Sequence, residues 1–429
     1  MKKAIKSILS ALSEHLFITL LSLFFAACFA GITLSIPFFN PIAKSLANFS
    51  LIDVYYQALH SGTAPDTSQV ISIVDIGEEA SRSRLARVVD SVNMAEPSVV
   101  VFDVIFNGLR GDTAGSMALL EAISNTTSPR FAFAMTDYDA EKNAFTHLYR
   151  SFFNISDDLG LEGYVNVKES EGGEVVRKFS EQRRYMGDTL YSLAFMAASA
   201  FDEACTTQGT VQVPVDFTPV VLPANTLLSV KPATSFSADR IIDFSPTHFP
   251  VVRYDQVSGA FDNLKGRIVI IGALHDLQDN HNTTIGRMDG PEVLAYSVQT
   301  LLENKKIESL SSPVQWISTI LLLFFTQILT FSFSAYIFKN RKKNLFTKFG
   351  AYSSTYGAIV KTIWLAILTF MTFYAFVAFG KSFDLLWLLM GIAFLGFSNG
   401  CYKAVIQILV EKNPKSIFAK SIIYKIYGV

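Results

Sequence analysis

Cysteine is nearly missing from this chain of 429 residues, and the three copies present are placed so that the main polar stretch gains no crosslink. Cys28 and Cys401 fall inside long apolar runs, which leaves Cys205 alone in the stretch between them. That stretch is expected to fold without an internal disulfide and to rely on a large core. A surplus of charge is missing too. The 36 Lys and Arg against 37 Asp and Glu give a formal net charge of -1, so bulk electrostatics point to no polyanionic partner and exclude nucleic acid from the expected ones. Signatures of catalysis are absent as well: there is no GxxxxGK followed by Ser or Thr, no GxSxG elbow, no HExxH and no cysteine pair in the polar stretch. No catalytic residue, no cofactor and no enzyme activity are expected.

Apolar residues are what the chain has in abundance, half of the total, and they are concentrated in four charge-free runs at 16–34, 314–338, 362–380 and 385–402. Each matches the roughly 18 to 20 residues that carry a helix across a bilayer, so four spans are expected, one before the polar stretch and three after it. The runs hold no acidic residue, which counts against proton-coupled transport, and the flanking Lys361 and Lys403 are expected to snorkel to the interface. The tetrapeptide from Phe25 to Cys28 loosely resembles a small-residue cleavage site. Apolar sequence continues to Leu34, however, longer than the core of a cleaved signal, which favours a retained anchor.

Lysine and arginine cluster at Lys2, Lys3 and Lys6, at Lys339 to Lys348, and from Lys403 to Lys425, while the connection between the third and fourth runs holds only Lys381. By the positive-inside rule both termini and the basic loop are cytoplasmic and residues 37–313 lie outside. The expected organisation is therefore 1–36 as N-terminus and first span, 37–313 as an extracytoplasmic domain, 314–410 as three spans and 411–429 as a short tail. In the tail, apolar residues alternate with lysines, a pattern suited to the inner leaflet or to a partner.

Within the polar stretch, residues 70–106 read as strand, helix, strand. A β-branched run at 70–76 and another after Pro97 flank Leu85, Val88, Val89 and Val92, which recur at helical spacing. Asp112 is placed to cap a second helix, and a third strand is expected at 130–135. A juxtamembrane helix is expected at 42–59, a turn at Gly172-Gly173, a helix capped by Asp188 and an irregular segment at 207–223. Further strands follow at 241–244 and 267–271, then a polar loop at 275–289 and a helix opened by Pro291 and Glu292. This alternation predicts an α/β domain with a mostly parallel doubly wound sheet, joined to four transmembrane α-helices.

The stretches VISIVDI, VVVFDVIF and LKGRIVIIGALHDLQDNH, the helix opening at Gly290 to Val293, and the trailing runs together resemble the second class of CHASE domains, the extracellular sensory domains of bacterial signalling proteins. The resemblance covers about 37–410 and implies a sensor in a bacterial cytoplasmic membrane, its large domain on the periplasmic side. Two departures stand out: a Trp-Pro-Arg segment of the family is replaced by residues 78–87, and Thr283-Thr284 stand where Thr-Pro is expected. Family members usually continue into a kinase or cyclase, so with so short a tail the chain is expected to signal through a separate partner.

Ligands of open α/β sheets bind beyond the carboxyl ends of strands, where Asp75 and Asp103 end strands expected to be neighbours and where Asp279 and His281 follow a later strand. These four residues are the candidate ligand contacts. The competing reading gives the aspartates to turn amides. His275, Asp276, Asp279 and His281 form the densest group of metal-ligand types, but their spacing matches no standard motif and no metal is expected. The functional reading is thus a sensor for an unknown small molecule, embedded in lipid and acting as a homodimer or with a separate effector, with the helix after Pro291 transmitting the signal. A scaffold without ligand and an exported hydrolase are the alternatives.

Overall fold

The structure is a computed structural model and describes residues 2–35, 50–77, 81–106, 112–139, 144–151, 161–169, 175–186, 188–208, 212–215, 218–221, 239–277, 279–304, 308–340 and 355–427. The expected features at 37–49, at Gly172-Gly173 and in the basic loop at 341–348 lie outside these residues. The chain forms two compact units, Leu51–Glu308 and the combination of Met1–Ser50 with Ser309–Val429.

The first unit follows the predicted alternation closely at its start. Helix α1 (Leu51–Gly62) precedes strand β1 (Ile71–Asp75), helix α2 (Arg82–Met94), strand β2 (Val99–Phe102), helix α3 (Thr113–Ser124) and strand β3 (Pro129–Asp139). Helix α2 starts where the Ser81 hydroxyl accepts from the Arg84 amide, and α3 where the Asp112 carboxylate accepts from the Gly115 amide at 2.8 Å. Each cap satisfies an amide that the first turn leaves without a partner.

The middle of the domain departs from expectation. Strands β4 (Ala144–Tyr149), β5 (Glu162–Tyr164), β6 (Lys168–Glu169) and β7 (Val175–Ser180) come before helix α4 (Leu193–Gln208). Asp188 does not cap that helix. It lies in the short strand Asp188–Tyr191, and the first turn of α4 is closed instead by the Ser192 hydroxyl, which accepts from the Phe195 amide. The supposedly irregular 207–223 contains an antiparallel pair, Gln212–Val215 with Thr218–Val221. Strands β8 (Asp239–Ile241), β9 (Val251–Arg253) and β10 (Ile268–Gly272) follow. The loop expected at 275–289 holds a hairpin of β11 (Asn280–Thr283) and β12 (Gly286–Asp289), which runs straight into helix α5 (Gly290–Leu302).

Seven strands make the main sheet in the order β9-β1-β10-β2-β3-β4, with β5 also on β3. Ile270 pairs with Ile73 on one side and with Val101 on the other, so β10 lies between β1 and β2. The two strands joined through α2 are therefore not neighbours, because their crossover leaves a slot that a strand formed some 165 residues later fills. All these ladders are parallel except β3 with β4. A second, five-stranded sheet in the order β8-β7-β11-β12, with β6 on β7, has one parallel pair, β7 with β11. Both sheets are mixed, and the expectation of a mostly parallel doubly wound sheet describes only the centre of the first.

Alternation along the central strands divides the core between two faces. Val74, Val100, Phe102, Val269 and Ile271 pack with Leu85, Val88, Val89 and Val92 of α2 and Leu119 of α3. The residues that alternate with them, Ile73, Val101, Ile268 and Ile270, are fully buried too, and α4 and α5 pack on these strands. Helix α1 is tied in by ions and amides: Arg177 grips Asp53 with two hydrogen bonds, and His60 bonds the Phe244 carbonyl at 2.8 Å.

The second unit is helical and carries all four stretches long and apolar enough to cross a membrane, Leu9–Thr33, Ser312–Lys339, Ile359–Phe376 and Leu386–Lys412. The Leu9–Thr33 stretch reaches further toward the amino terminus than the charge-free run does and includes a buried Glu14, so an acidic residue is present after all. The carboxylate of Glu14 accepts from the Ser421 hydroxyl at 2.8 Å and from the Ile422 amide. The tail helix Ile422–Tyr427 begins at that bond, and Ile423 within it is buried. Gln327 and Asn399 exchange amide hydrogen bonds at 2.9 and 2.8 Å, and the Trp364 indole donates to the Thr326 hydroxyl. The Lys361 amine lies close to Gly396, where a Cβ would stand 3.4 Å from its Nζ.

Candidate functional site

Register places the carboxyl ends of β1, β10 and β2 along one edge of the main sheet, with Gly272 opposite Asp75 and the Asp103 amide bonded to the Ile271 carbonyl. The first turns of α5 come close to that edge because Gly272 has no side chain. A Cβ there would stand 2.5 Å from Cγ of Pro291 and 3.4 Å from Cβ of Asp103. Where the strands end and the helix begins, the α/β unit encloses a cavity of about 980 Å³. Its volume is at the upper end of what small-molecule sites use, and its place is the one open α/β sheets favour for ligands.

Asp103, Asp279 and His281 all line this cavity. Asp75 does not; its Oδ1 accepts from the amides of Gly77 and Leu274 at 2.9 and 3.0 Å, so this carboxylate organises the two turns behind the sheet edge. Asp103 differs sharply from it. Among the described residues no group donates a hydrogen bond to the Asp103 carboxyl, which meets only the interior of the cavity and is otherwise enclosed by protein. Enclosure disfavours its charged form, the negative Asp279 adds to that, and His281 pulls back, so the carboxyl is pushed up to about 7.

Asp279 stands nearer solvent, its Oδ1 3.1 Å from Nε2 of His281. Its position is fixed by the start of α5: the Gly290 amide donates to the Asp279 carbonyl at 2.9 Å, and any Cβ on Gly290 would collide with the Asp279 carboxylate. Asp289, the last residue before the helix, accepts from the His275 amide and from the Asn280 side chain, while the Glu292 carboxylate accepts from the Asp289 amide. His275, with a positive φ of 64°, exposes its ring to solvent. Among the described residues no three His, Cys, Asp or Glu side chains come together as a metal would require.

The cavity also has contributors that the sequence did not single out as ligand contacts. Arg82 lines it with its guanidinium bonded to the Ser116 hydroxyl at 2.6 Å, and Asn166 lines it while its amide bridges the backbone of Met135 in both directions. Tyr164 donates its hydroxyl to the Ser180 carbonyl at 2.6 Å and gives the cavity an aromatic wall. Arg82 left a trace in the sequence as part of the 78–87 stretch where the family pattern is broken. Asn166 and Tyr164 reach the site through β5, whose pairing with β3 no local pattern announces.

The model of the CHASE2 domain matches residues 24–331, a stretch that runs from the first apolar helix through the whole α/β unit into the second. No curated protein and no solved structure matches the chain. With the family matched over most of its length, and with four helices of membrane-spanning length flanking the α/β unit, the chain belongs to the CHASE2 domain family of extracellular sensory domains.

Proposed function

We propose that this chain is a membrane-anchored sensor whose α/β unit faces the outside of a bacterial cytoplasmic membrane, binds a small molecule in the cavity at the sheet edge, and passes the event to a separate partner. The observation that carries the reading is the enclosed Asp103 carboxyl, which has a cavity of ligand size in front of it and no donor among the described residues. Burying such a group without a partner is costly, a cost that a bound ligand offsets. Asp103, Asp279 and His281 are the ligand contacts in this reading, and Asp75 holds the turns. The parallel centre of the main sheet supports it, since such sheets gather their strand ends at one edge. Membership of a sensory rather than a catalytic family, together with the absence of catalytic motifs, favours binding without turnover.

The lysine and arginine asymmetry supports the orientation, and a reporter fused after Lys343 should behave as cytoplasmic. For the binding itself, full-length protein in nanodiscs is equilibrated with a small-molecule extract of the host cells, washed, and analysed for retained compounds by native mass spectrometry. Leu294 lines the cavity from α5 without being fully buried, so Leu294→Trp should fill the space and remove the retained compound. Retention of the same compounds by parent and variant, or of none by either, would sink the sensor reading and leave a scaffold in its place.

A further inference from the structure

The charge lining the cavity is one-sided. Asp103, Asp112, Asp276 and Asp279 contribute four carboxyl groups, against one guanidinium from Arg82 and one imidazole from His281. Neither cation is idle: the guanidinium is bonded to Ser116 and the imidazole faces Asp279. Asp112 is held in place as the cap of α3 and by the Ser83 hydroxyl. Asp103 is the exception among the four in being both enclosed and without a donor among the described residues. An anionic ligand entering here meets a field of its own sign, whereas a cation is drawn in. The other walls are apolar, with Leu85, Ile105, Phe106, Tyr164 and Val293 among them. A metal ion would find no converging set of ligands among the described residues.

We propose that the cavity takes a small organic amine, its ammonium seated against Asp103 in the field of Asp279 and its apolar or aromatic body against Leu85, Phe106, Tyr164 and Val293. This deepens the sensor reading and rests on it. An ammonium supplies three donors to a carboxylate that has none, and its own charge persists well above neutral pH, since amines of this kind hold their proton to about pH 10. Binding then requires Asp103 to give up its proton. Affinity is weak below the carboxyl's value of about 7 and rises above it.

The test uses full-length protein in nanodiscs and three probes that share a phenyl body: 2-phenylethylamine, 2-phenylethanol and 3-phenylpropanoate. Calorimetry at pH 8 should show saturable binding of the amine and at least about tenfold weaker binding of the other two. Amine affinity should rise between pH 6 and pH 8. Asp103→Asn should reduce it by about tenfold or more and abolish the pH dependence, while melting no lower than the parent at pH 6. Asp279→Asn, nearer solvent, should cost only a few-fold and serves if the first variant fails to fold. The proposal is overturned if the alcohol or the carboxylate binds as tightly as the amine, if the amine shows no saturable binding, or if both variants keep the parent's affinity. A retained compound that is not an amine, displaced by Leu294→Trp, would overturn this proposal and leave the sensor reading intact.

Discussion

In the helical unit the amides of Gln327 and Asn399 close on each other, and Trp364 closes on Thr326, so these polar groups are satisfied by polar groups on other helices. In the α/β unit Asp75 is spent in the same way on two amides, but Asp103, a short distance along the same sheet edge, is left facing an empty volume. Both regions belong to one chain and bury polar groups at real cost. The difference teaches that, of the two carboxyls at this sheet edge, the one without a donor among the described residues is the one that faces the space where a ligand has room.

The comparison presupposes a rigid sheet, and the largest effect is expected from loosening it. Ile270 is fully buried between two parallel neighbours, and Ile270→Ala should cost about 2 to 5 kcal/mol, read as a drop in the melting temperature of the full-length protein. A variant that melts like the parent would break the packing account of both strand ends.

A paired substitution sharpens the contrast between the aspartates. Asp75→Ala leaves two amides without an acceptor and should cost about 2 kcal/mol at any pH from 6 to 8. Asp103→Asn removes no hydrogen bond made by the described residues. The Asp103 carboxyl is raised from an ordinary value near 3.8 to about 7, so the stability it confers is complete below the lower value and is lost as pH rises through the higher one. The parent should therefore lose stability between about pH 4 and pH 7, and Asp103→Asn should flatten that slope and melt higher than the parent at pH 8. Equal pH profiles for the two proteins would show that the carboxyl is satisfied after all.

The smallest effect belongs to the helical unit. Gln327→Leu breaks one reciprocal amide pair, and interhelical bonds of this kind are worth about 0.6 kcal/mol on average and no more than about 2 kcal/mol, so a drop of a degree or two in melting temperature is expected. A collapse of the protein would mean that the pair organises far more than its own contact.

Much of this was readable in the chain. The strand β1, the stripe of α2, the cap of α3 and the Pro-Glu opening of α5 are local patterns, and local patterns are what a sequence displays. Insertion of β10 between β1 and β2 is not local, and it decided the neighbourhood of the two aspartates. From the sequence alone Asp75 and Asp103 look alike, each closing an apolar run. Their fates differ because Gly77 and Leu274 offer amides to the first, while the turn of α5 allowed by Gly272 leaves the second facing the cavity. Glu14 escaped notice for a different reason: its partner, Ser421, lies 407 positions away.

That separation bears on how the protein is made. The first apolar helix packs on the last, and about 350 residues, the α/β unit among them, are translated between the two. At roughly 5 to 20 residues per second the ribosome needs about 20 to 70 seconds to cover that distance. For that interval the nascent first helix waits in the bilayer without the neighbour against which it finally packs, and a chain whose synthesis stops before the fourth span never completes the bundle.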